Sequence, residues 1–252
     1  WLKETECSFA ENDKTSKNPL SHKSESVYPK LKGFKIGQLN ITSLVKHIEE
    51  LRIFIYEQPF DILCINETRL DNSISNTEVE ISGYEIIRKD RNRNGGGVAI
   101  YLRNNISYVE RSDLISEHVE ALCLQIRKPK SKPILVSTWY RPPDSNIVFL
   151  QCLEESLRKM DDENKEIIIA GDFNCDLLKK DCVSPSIKKM KDLIDIYQLQ
   201  QHIDKPSRIT NCSQTLLDII LTKIDDTKTV DSGVIELEIS DHSLVYICRK
   251  IS

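Results

Sequence analysis

The residues with the clearest chemical potential are Asp172 and Asn174, which follow a short apolar run at positions 166–170. Gly171 lets the chain turn out of that predicted buried strand. Side chains two positions apart lie on the same face of an extended chain, so we expect both to point beyond the strand end. A carboxylate that accepts a proton, beside a carboxamide that donates to an anion, suits hydrolysis at phosphorus or at an acyl centre. The same two residue types are also common turn formers.

Further polar groups lie where other predicted apolar strands stop or start. They are Asn40, Glu67, Tyr140 and the adjacent pair Asp241 and His242. In α/β architectures, sites assemble from the ends of different strands, so these groups form one coherent candidate site with the first two. Each group also has a simpler interpretation. Asn40 is also consistent with a plain turn residue, Glu67 with a solvated charge and Tyr140 with a half-buried sheet tyrosine. His242 is equally consistent with a surface histidine capped by Asp241.

The elements that position these groups are predicted from position 34 onward, where strand-like and helical patterns interleave. The predicted strands cover 34–40, 61–66, 84–88, 98–102, 121–126, 134–140, 166–170, 216–221, 233–239 and 243–248. The predicted helices begin near 44, 147 and 187. Because several strands follow one another without a helix, the pattern predicts mixed β-sheets with helices outside, rather than a doubly wound parallel sheet.

Local signals fix the ends of some elements. The first helix has Thr42 or Ser43 as its N-cap and ends before Pro59. Its apolar positions are Leu44, Ile48, Leu51 and Ile55, which recur at helical spacing. The glycine triplet at 95–97 is interpreted as a hairpin turn, because no helix follows it to bind phosphate.

Composition limits the protein's class. At 252 residues, with 39% hydrophobic and 29% charged residues, the chain reads as a globular protein with a sizeable core. No apolar run is long enough for a membrane span, so no membrane partner is predicted. The net charge of −4 argues against bulk electrostatic binding of nucleic acid. It allows a local basic rim, and the basic stretches around Arg91 and Lys189 are either solvated faces or flanks of a nucleic-acid groove.

The polar segment 1–32 lacks periodicity and is predicted to be a disordered leader or linker, and 33–252 is predicted to be one domain. The chain starts at Trp1, which indicates a segment of a longer polypeptide. Eight cysteines form no CxxC pair, and several lie in strand-like runs. They are interpreted as buried thiols of an intracellular, reducing compartment, and a zinc site is disfavoured.

Six short motifs occur in an order that resembles the endonuclease/exonuclease/phosphatase superfamily. They are Leu39-Asn40, Ile65-Asn66-Glu67-Thr68, Trp139-Tyr140-Arg141-Pro142-Pro143, Gly171-Asp172-Phe173-Asn174, Leu217-Asp218-Ile219-Ile220 and Ser240-Asp241-His242-Ser243. The likeness is strongest to the apurinic-type endonuclease domain of non-LTR (LINE-like) retrotransposons, and it covers about residues 33 to 250. The segments 95–101 and 206–210 look like further retroelement signatures.

The resemblance implies an α/β fold (α+β in some schemes): a four-layered α/β sandwich of two mixed β-sheets packed face to face, with helices outside. It also implies a role for each group in the motifs. Glu67, Asn40 and Asp241 would bind the metal. His242, oriented by Asp218, and Tyr140 would contact the phosphate, and Asp172 and Asn174 would activate the water. DNA would be contacted by Arg141, Thr210 and Thr215.

The implied activity is metal-dependent nicking of double-stranded DNA, with Mg²⁺ as the ion and Mn²⁺ as an alternative. Oxygen ligands suit such an ion, which neutralises the phosphodiester charge. In relatives, the 3′-hydroxyl primes a reverse transcriptase domain of the same polyprotein, which implies a nuclear site of action. Two alternatives stay open: a repair-type apurinic endonuclease or other phosphoesterase of the superfamily, and a decayed or domesticated copy that binds nucleic acid or protein without catalysis.

Two departures from the family pattern bear on specificity. Repair-type enzymes often carry an acidic residue two positions after the first asparagine, where this chain has Thr42. This favours the retroelement reading over repair of abasic sites. The segment between Thr210 and Thr215 is short and offers little for base readout, so we expect weak sequence preference set by DNA shape.

Overall fold

The computed structural model describes residues 28–127, 132–179, 184–224 and 227–250, and in these residues two six-stranded sheets dominate. The first sheet contains β1 (Phe34–Asn40), β2 (Ile62–Asn66), β3 (Tyr84–Lys89), β4 (Val98–Arg103), β13 (Thr229–Ile235) and β14 (Leu244–Arg249). Its spatial order is β13-β14-β1-β2-β4-β3. The pair β1 and β2 is parallel, whereas the other neighbours are antiparallel, so the sheet is mixed.

The second sheet has the same mixed character. It contains β5 (Ser107–Glu110), β6 (Glu120–Arg127), β7 (Ile134–Tyr140), β8 (Glu166–Asp172), β9 (Leu199–Gln201) and β12 (Asp218–Lys223). The order is β5-β6-β7-β8-β12-β9, and β7 and β8 are its parallel pair. A separate two-stranded ribbon joins β10 (Arg208–Ile209) to β11 (Gln214–Thr215).

The two sheets pack face to face and helices cover their outer faces. β1 faces β8 and β12, while β4 faces β6 and β7. Helix α1 (Leu44–Glu57) packs with Leu39, Leu63 and Tyr101 on the outside of the first sheet. Helices α2 (Val148–Asp162) and α3 (Pro185–Ile196) pack beside the second sheet. The predicted four-layered α/β sandwich of mixed sheets is therefore confirmed.

The topology explains why polar strand ends meet at one rim. The parallel pair β1 and β2 ends with Asn40 opposite Asn66, and the parallel pair β7 and β8 ends with Tyr140 opposite Asp172. Antiparallel β12 starts at the same edge, where Asp218 pairs with Asp172. Strand ends from both sheets thus converge on one edge of the sandwich.

Most predicted element boundaries agree with the structure, three strand boundaries differ, and β5, β9, β10 and β11 were not predicted. Helix α1 buries all four predicted apolar positions, although Ser43 at its N-cap makes no side-chain capping bond. The strand expected at 166–170 is β8, which continues through Gly171 to Asp172, so the chain does not turn at Gly171. The strand expected at 216–221 is β12, which starts at Asp218, and the backbone N–H of Leu216 donates to Asp176 Oδ1 instead of to a strand. The strand expected at 233–239 is β13, which ends at Ile235. Glu238 has a φ of 55°, which is incompatible with extended backbone.

The remaining sequence expectations concern the leader, the thiols and the membrane. Residues 1–27 lie outside the described part, but Tyr28 packs edge-on against Phe54 at 5.0 Å between ring centroids. Cys64, Cys123, Cys152, Cys212 and Cys248 carry free thiols. Cys64, Cys123, Cys175 and Cys248 are buried, Cys152 is half-buried and Cys212 is exposed. Among the described residues, no helix has the length and apolar character that crossing a membrane requires.

Candidate active site

Asp172 lies at the centre of the rim. It is the last residue of β8 and is almost fully buried. Its Oδ2 accepts a hydrogen bond of 2.8 Å from Asn40 Nδ2, and its Oδ1 accepts one of 3.0 Å from the backbone N–H of Asn174. Burial, then the charge of Asp218, raises the pKa of Asp172 above its usual range, and His242 opposes this shift. Such a carboxyl group can accept a proton near neutral pH.

Asn174 reaches the rim by a different route from the predicted one. The strand ends at Asp172, and Asn174 has a left-handed φ of 48°, so the alternation of an extended chain does not apply to it. Its side-chain Nδ2 donates to the carbonyl of Arg141 at 2.8 Å. Asn174 therefore orients Asp172 through its backbone and anchors the turn with its side chain.

Glu67 forms the second half of the site, directly after β2. Its Oε1 accepts hydrogen bonds from Asn40 Nδ2 at 3.0 Å and from the Tyr140 hydroxyl at 3.1 Å. Its Oε2 lies 2.9 Å from Arg69 Nη2. Burial acts to raise the pKa of Glu67, but the bonds from Asn40, Arg69 and Tyr140 outweigh it and lower that pKa. The group is a stable carboxylate at neutral pH.

The backbone around Glu67 is held by the predicted hairpin turn between β3 and β4. Glu67 has a φ of 52°, so it leaves the strand in a left-handed conformation. The carbonyls of Gly96 and Gly97 accept the next two backbone N–H groups, at 2.9 Å from Arg69 and 3.2 Å from Thr68. A Cβ on Gly97 would lie 2.5 Å from Thr68 Oγ1, so glycine is needed for this close approach.

His242 and Asp218 form a buried ion pair beside Asp172. His242 Nδ1 and Asp218 Oδ2 are 2.7 Å apart, and the hydroxyl of Ser207 donates to the same Oδ2 at 2.9 Å. Burial acts to lower the pKa of His242, but the Asp218 carboxylate outweighs it and raises that pKa above its usual value. Because Nδ1 is engaged by Asp218, Nε2 is the ring nitrogen that can meet a ligand.

The donor groups fit a hard divalent cation. Asp172, Asp218 and His242 each offer a ligand atom, and these atoms lie within 4.8 Å of one another. Asp218 Oδ1 is buried and has no hydrogen-bond partner among the described residues. Glu67 adds carboxylate oxygens next to Asp172. Asn40 turns its Nδ2 toward both carboxylates, and its Oδ1 accepts the backbone N–H of Thr42 at 3.1 Å. Carboxylate and carboxamide oxygens are the ligands that such ions prefer.

Two predicted site residues have other surroundings than expected. Asp241 is exposed and paired with Arg208, whose Nη2 lies 2.6 Å from Oδ2, so it stands apart from the buried cluster. Arg141 was expected to contact nucleic acid, but only 3% of it is exposed. Its guanidinium donates to Ser186 Oγ at 3.1 Å and to the carbonyl of Ser145, so it secures the turn after β7 from inside the protein.

The ribbon of β10 and β11 carries the other expected DNA contacts. Thr210 closes its connecting loop by accepting the backbone N–H of Ser213 at 3.1 Å, and Thr215 begins the return to β12. Arg208 pairs with His242 through an isolated bridge, so the ribbon borders the site. The flanking cations are engaged: Arg91 pairs with Glu120, and Lys189 pairs with Glu154.

Sequence reasoning overlooked Asn66, which joins the sheets beneath the site. Asn66 is fully buried; its Oδ1 accepts from Gln38 Nε2 at 2.7 Å and from the backbone N–H of Asp172 at 2.8 Å. Its Nδ2 donates to Thr138 Oγ1 at 3.1 Å. The signal available in the sequence was an amide side chain that ends an otherwise apolar strand. Ser207, which holds Asp218, lies in the segment 206–210, which the motif pattern marked without giving Ser207 a role.

Similarity to known proteins extends over most of the chain. The family model described as the Endonuclease/Exonuclease/phosphatase family matches residues 36–242, which is more than half of the chain. No curated protein sequence gives a significant match.

Several solved structures share the fold at low sequence identity. The endonuclease domain of TRAS1, a telomere-specific non-LTR retrotransposon, has a TM-score of 0.69 at 17% identity, covering 87% of this chain and 99% of that one. The AP endonuclease LMAP from Leishmania major has a TM-score of 0.73 at 17% identity, covering 87% and 88%. The 3′ phosphatase NExo from Neisseria, bound to product DNA hairpin, has a TM-score of 0.69 at 17% identity, covering 87% and 100%.

Proposed function

This chain belongs to the endonuclease/exonuclease/phosphatase family, and we propose that it is a metal-dependent endonuclease that nicks double-stranded DNA and leaves a 3′-hydroxyl. The family comprises nucleases and phosphatases, so the match indicates a hydrolase of this group. The choice of endonuclease within that group, the metal and the DNA substrate are inferences from the site.

The observation that carries the proposal is the bridging position of Asn40. Its Nδ2 donates to Glu67 Oε1 at 3.0 Å and to Asp172 Oδ2 at 2.8 Å, so one amide group holds both carboxylates at one rim. His242, which is paired with Asp218, lies beside Asp172 and offers its Nε2–H as a cationic donor. A proton acceptor, a group of oxygen ligands and a cation thus border one space, which is what hydrolysis of a phosphodiester anion requires.

The protein's own side chains divide the work as follows. Asp172, with its raised pKa, orients the attacking water and accepts its proton. The protonated His242 binds a phosphate oxygen and stabilises the charge that develops there. Burial, then the charge of Glu67, raises the pKa of Tyr140, so its hydroxyl stays protonated. That proton is donated to Glu67 Oε1 here and would turn to a phosphate oxygen when substrate binds. Asn174 keeps Asp172 in place through its backbone N–H.

Glu67 would hold the divalent ion, Mg²⁺ or alternatively Mn²⁺, and Asn40 would join it through Oδ1 after its carboxamide turns away from Thr42. When bound, the ion supplies positive charge that offsets the charge of the phosphodiester and stabilises the leaving oxygen. Asp241 would join these ligands only after separating from Arg208, with which it is paired here.

Within the family, we place the protein among endonucleases of non-LTR retrotransposons. The 3′-hydroxyl would prime a reverse transcriptase domain of the full polyprotein, which requires action on nuclear DNA. Support comes from the sequence motifs and from Thr42, whose backbone N–H donates to Asn40 Oδ1 at 3.1 Å where repair-type enzymes often have an acidic side chain. The fold shared with the TRAS1 domain is compatible with this role.

A repair-type or phosphatase activity is the second candidate, because the AP endonuclease and the 3′ phosphatase share the fold to the same degree as the TRAS1 domain. A copy without catalysis is disfavoured, since the candidate catalytic groups are assembled and hydrogen-bonded together.

The candidates are separated by offering one protein preparation three substrates with Mg²⁺. These are a plain duplex, the same duplex with one abasic site, and a duplex with a 3′-phosphate at a nick. We expect cleavage of the plain duplex, and we expect a polymerase to extend the products. Cleavage confined to the abasic duplex, or removal of the 3′-phosphate alone, would favour the second candidate. Binding without any cleavage would favour the non-catalytic copy.

A further inference from the structure

The side chain of Arg69 occupies the one oxygen of Glu67 that the rest of the site leaves open. Oε1 already accepts hydrogen bonds from Asn40 and Tyr140, and Oε2 lies 2.9 Å from Arg69 Nη2. Both oxygens of the proposed metal-binding carboxylate are therefore engaged. A cation that binds Glu67 must share or take over the oxygen that Arg69 now uses.

Arg69 is well placed to give up this contact. The side chain is 29% exposed, so the guanidinium lies at the rim. Its Nε is buried and has no hydrogen-bond partner among the described residues, so the donors of the guanidinium are not all satisfied in this position. The backbone of Arg69 is fixed by its N–H bond to the Gly96 carbonyl, so a change of contact requires only side-chain rotation.

Electrostatics makes the two cations competitors. A guanidinium stays protonated in proteins, so Arg69 cannot yield to an incoming cation by losing its charge. A divalent ion on Glu67 attracts the carboxylate more strongly than a single charge does, and it repels Arg69. The displaced guanidinium lies beside a site that binds phosphate, and its planar fork matches two phosphate oxygens.

We propose that Arg69 couples metal binding to DNA binding: its guanidinium holds Glu67 in the metal-free protein, and metal binding releases it to a backbone phosphate of the DNA. This inference rests on the proposed function. By reciprocity, DNA that engages Arg69 strengthens metal binding, so the two ligands bind cooperatively. In the metal-free protein, Arg69 is held by Glu67, so its guanidinium does not contribute to DNA binding as it does when metal is bound.

The test uses Arg69→Met, with Arg93→Met as a matched control that removes an exposed arginine of the neighbouring hairpin. Mg²⁺ affinity is measured by calorimetry without DNA. Duplex affinity is measured by fluorescence anisotropy, with Mg²⁺ and with EDTA, in a His242→Ala background that prevents cleavage. Melting temperatures establish that each variant is folded. Arg69→Lys, which keeps the charge and loses the fork, serves as a second variant.

For Arg69→Met we expect Mg²⁺ affinity to rise by about three- to tenfold, the range expected when a partly exposed competing ion pair is removed. DNA affinity should change by less than about twofold in EDTA and fall about tenfold with Mg²⁺. Arg69→Lys should keep the wild-type Mg²⁺ affinity and lose part of the DNA affinity gained with Mg²⁺. Arg93→Met should weaken DNA binding equally in both conditions.

The proposal is overturned if Arg69→Met leaves Mg²⁺ affinity unchanged or lower, or if neither protein binds Mg²⁺. It is also overturned if the loss of DNA affinity is equal with and without Mg²⁺, because that result means simple charge attraction. None of these readouts needs cleavage, so they are independent of a failure of the proposed nuclease activity, which appears as absence of nicking by the wild type.

Discussion

At the scale of single residues, Asn66 shows how the site depends on a group that does no chemistry itself. It accepts the backbone N–H of Asp172 and the side-chain amide of Gln38, and it donates to Thr138 across the sheets. Removal of Asn66 leaves buried partners without hydrogen bonds, which costs more than the bond itself contributes. The backbone N–H of Asp172 then lacks its acceptor on Asn66, so the position of Asp172 is less well fixed.

We predict that Asn66→Ala lowers the free energy of unfolding by about 2 kcal/mol and the nicking rate by at least about tenfold. Urea unfolding and initial rates measured on the same preparations check this. The control is Ser137→Ala, because Ser137 is also fully buried on β7 and accepts a bond of 2.9 Å from Trp139 Nε1. It should lose stability and keep its rate. Proportional loss of rate in both variants would contradict a positioning role for Asn66.

How far single residues could be predicted depends on where their signal lies. Asn40, Glu67 and Asp172 were found because each lies within two residues of the end of an apolar run, so a local pattern marks it. Asn66 and Ser207 were missed because their importance comes from hydrogen bonds to positions distant along the chain. The burial of Arg141 was missed for the same reason, since its partner Ser186 lies 45 positions away, at the start of α3.

At the scale of elements, the hairpin between β3 and β4 acts as a brace for the segment that carries Glu67. Gly97 combines a φ of 85° with an accepted bond from Thr68, and a Cβ there would collide with the Thr68 side chain. Gly83 has nearly the same φ, 84°, but a Cβ there would meet nothing within 4 Å. A comparison of the two glycines therefore separates the effect of backbone strain, which both share, from the effect of close approach to Thr68, which applies at Gly97.

We predict that Gly97→Ala and Gly83→Ala each lose about 1 kcal/mol of stability from the left-handed backbone. Gly97→Ala should in addition lose at least about tenfold in nicking rate, because Glu67 moves. Thermal unfolding and nicking assays on both variants provide the measurement. Equal rates in the two variants would show that the hairpin does not position Glu67.

A second connection between elements lies away from the site and gives a pH signature. Arg111, after β5, pairs with Glu163 at the end of α2, with Nη1 2.8 Å from Oε2. The hydrogen bond from Arg111 lowers the pKa of Glu163 from 4.5 to about 2, against the effect of burial and with help from Lys165. Because the folded-state pKa is depressed, this stabilisation is present above the unfolded pKa and is lost as pH falls from 4.5 to about 2.

Accordingly, Glu163→Gln should be less stable than wild type by about 1 kcal/mol near neutral pH, and the difference should vanish in acid. Urea unfolding of both proteins at several pH values measures it. Glu155→Gln, an exposed residue of the same helix, should match wild type throughout. A Glu163→Gln deficit that stays constant down to about pH 2 would contradict the assignment.

At the scale of the whole molecule, the order of strands and helices predicted mixed sheets with helices outside, and the resemblance of the motifs to the family implied the four-layered sandwich. The sequence could not show that both parallel pairs end at one rim, since this depends on strand pairing between distant segments. With a net charge of −4, the proposed DNA substrate would be held by local groups at that rim, not by a broad basic face.

This picture predicts weak sequence preference. The connection between β10 and β11 is closed on itself by the bonds between Thr210 and Ser213, so it presents few free groups to base edges. Nicks mapped on a randomised duplex should follow flexible steps, with less than about tenfold variation for a change of one base pair. A sharp consensus at fixed positions would show direct base readout instead.

The most direct test of the account is nicking of supercoiled plasmid by the wild type, Asp172→Ala and His242→Ala, with Mg²⁺ and with EDTA. His118→Ala is the matched control, because His118 is exposed. We predict metal-dependent nicks from the wild type and the control, a loss of at least about a hundredfold in both site variants, and nicks that a polymerase can extend. A well-folded wild type that does not nick, or nicking that survives both substitutions, would contradict the assignment of this rim as a nuclease site.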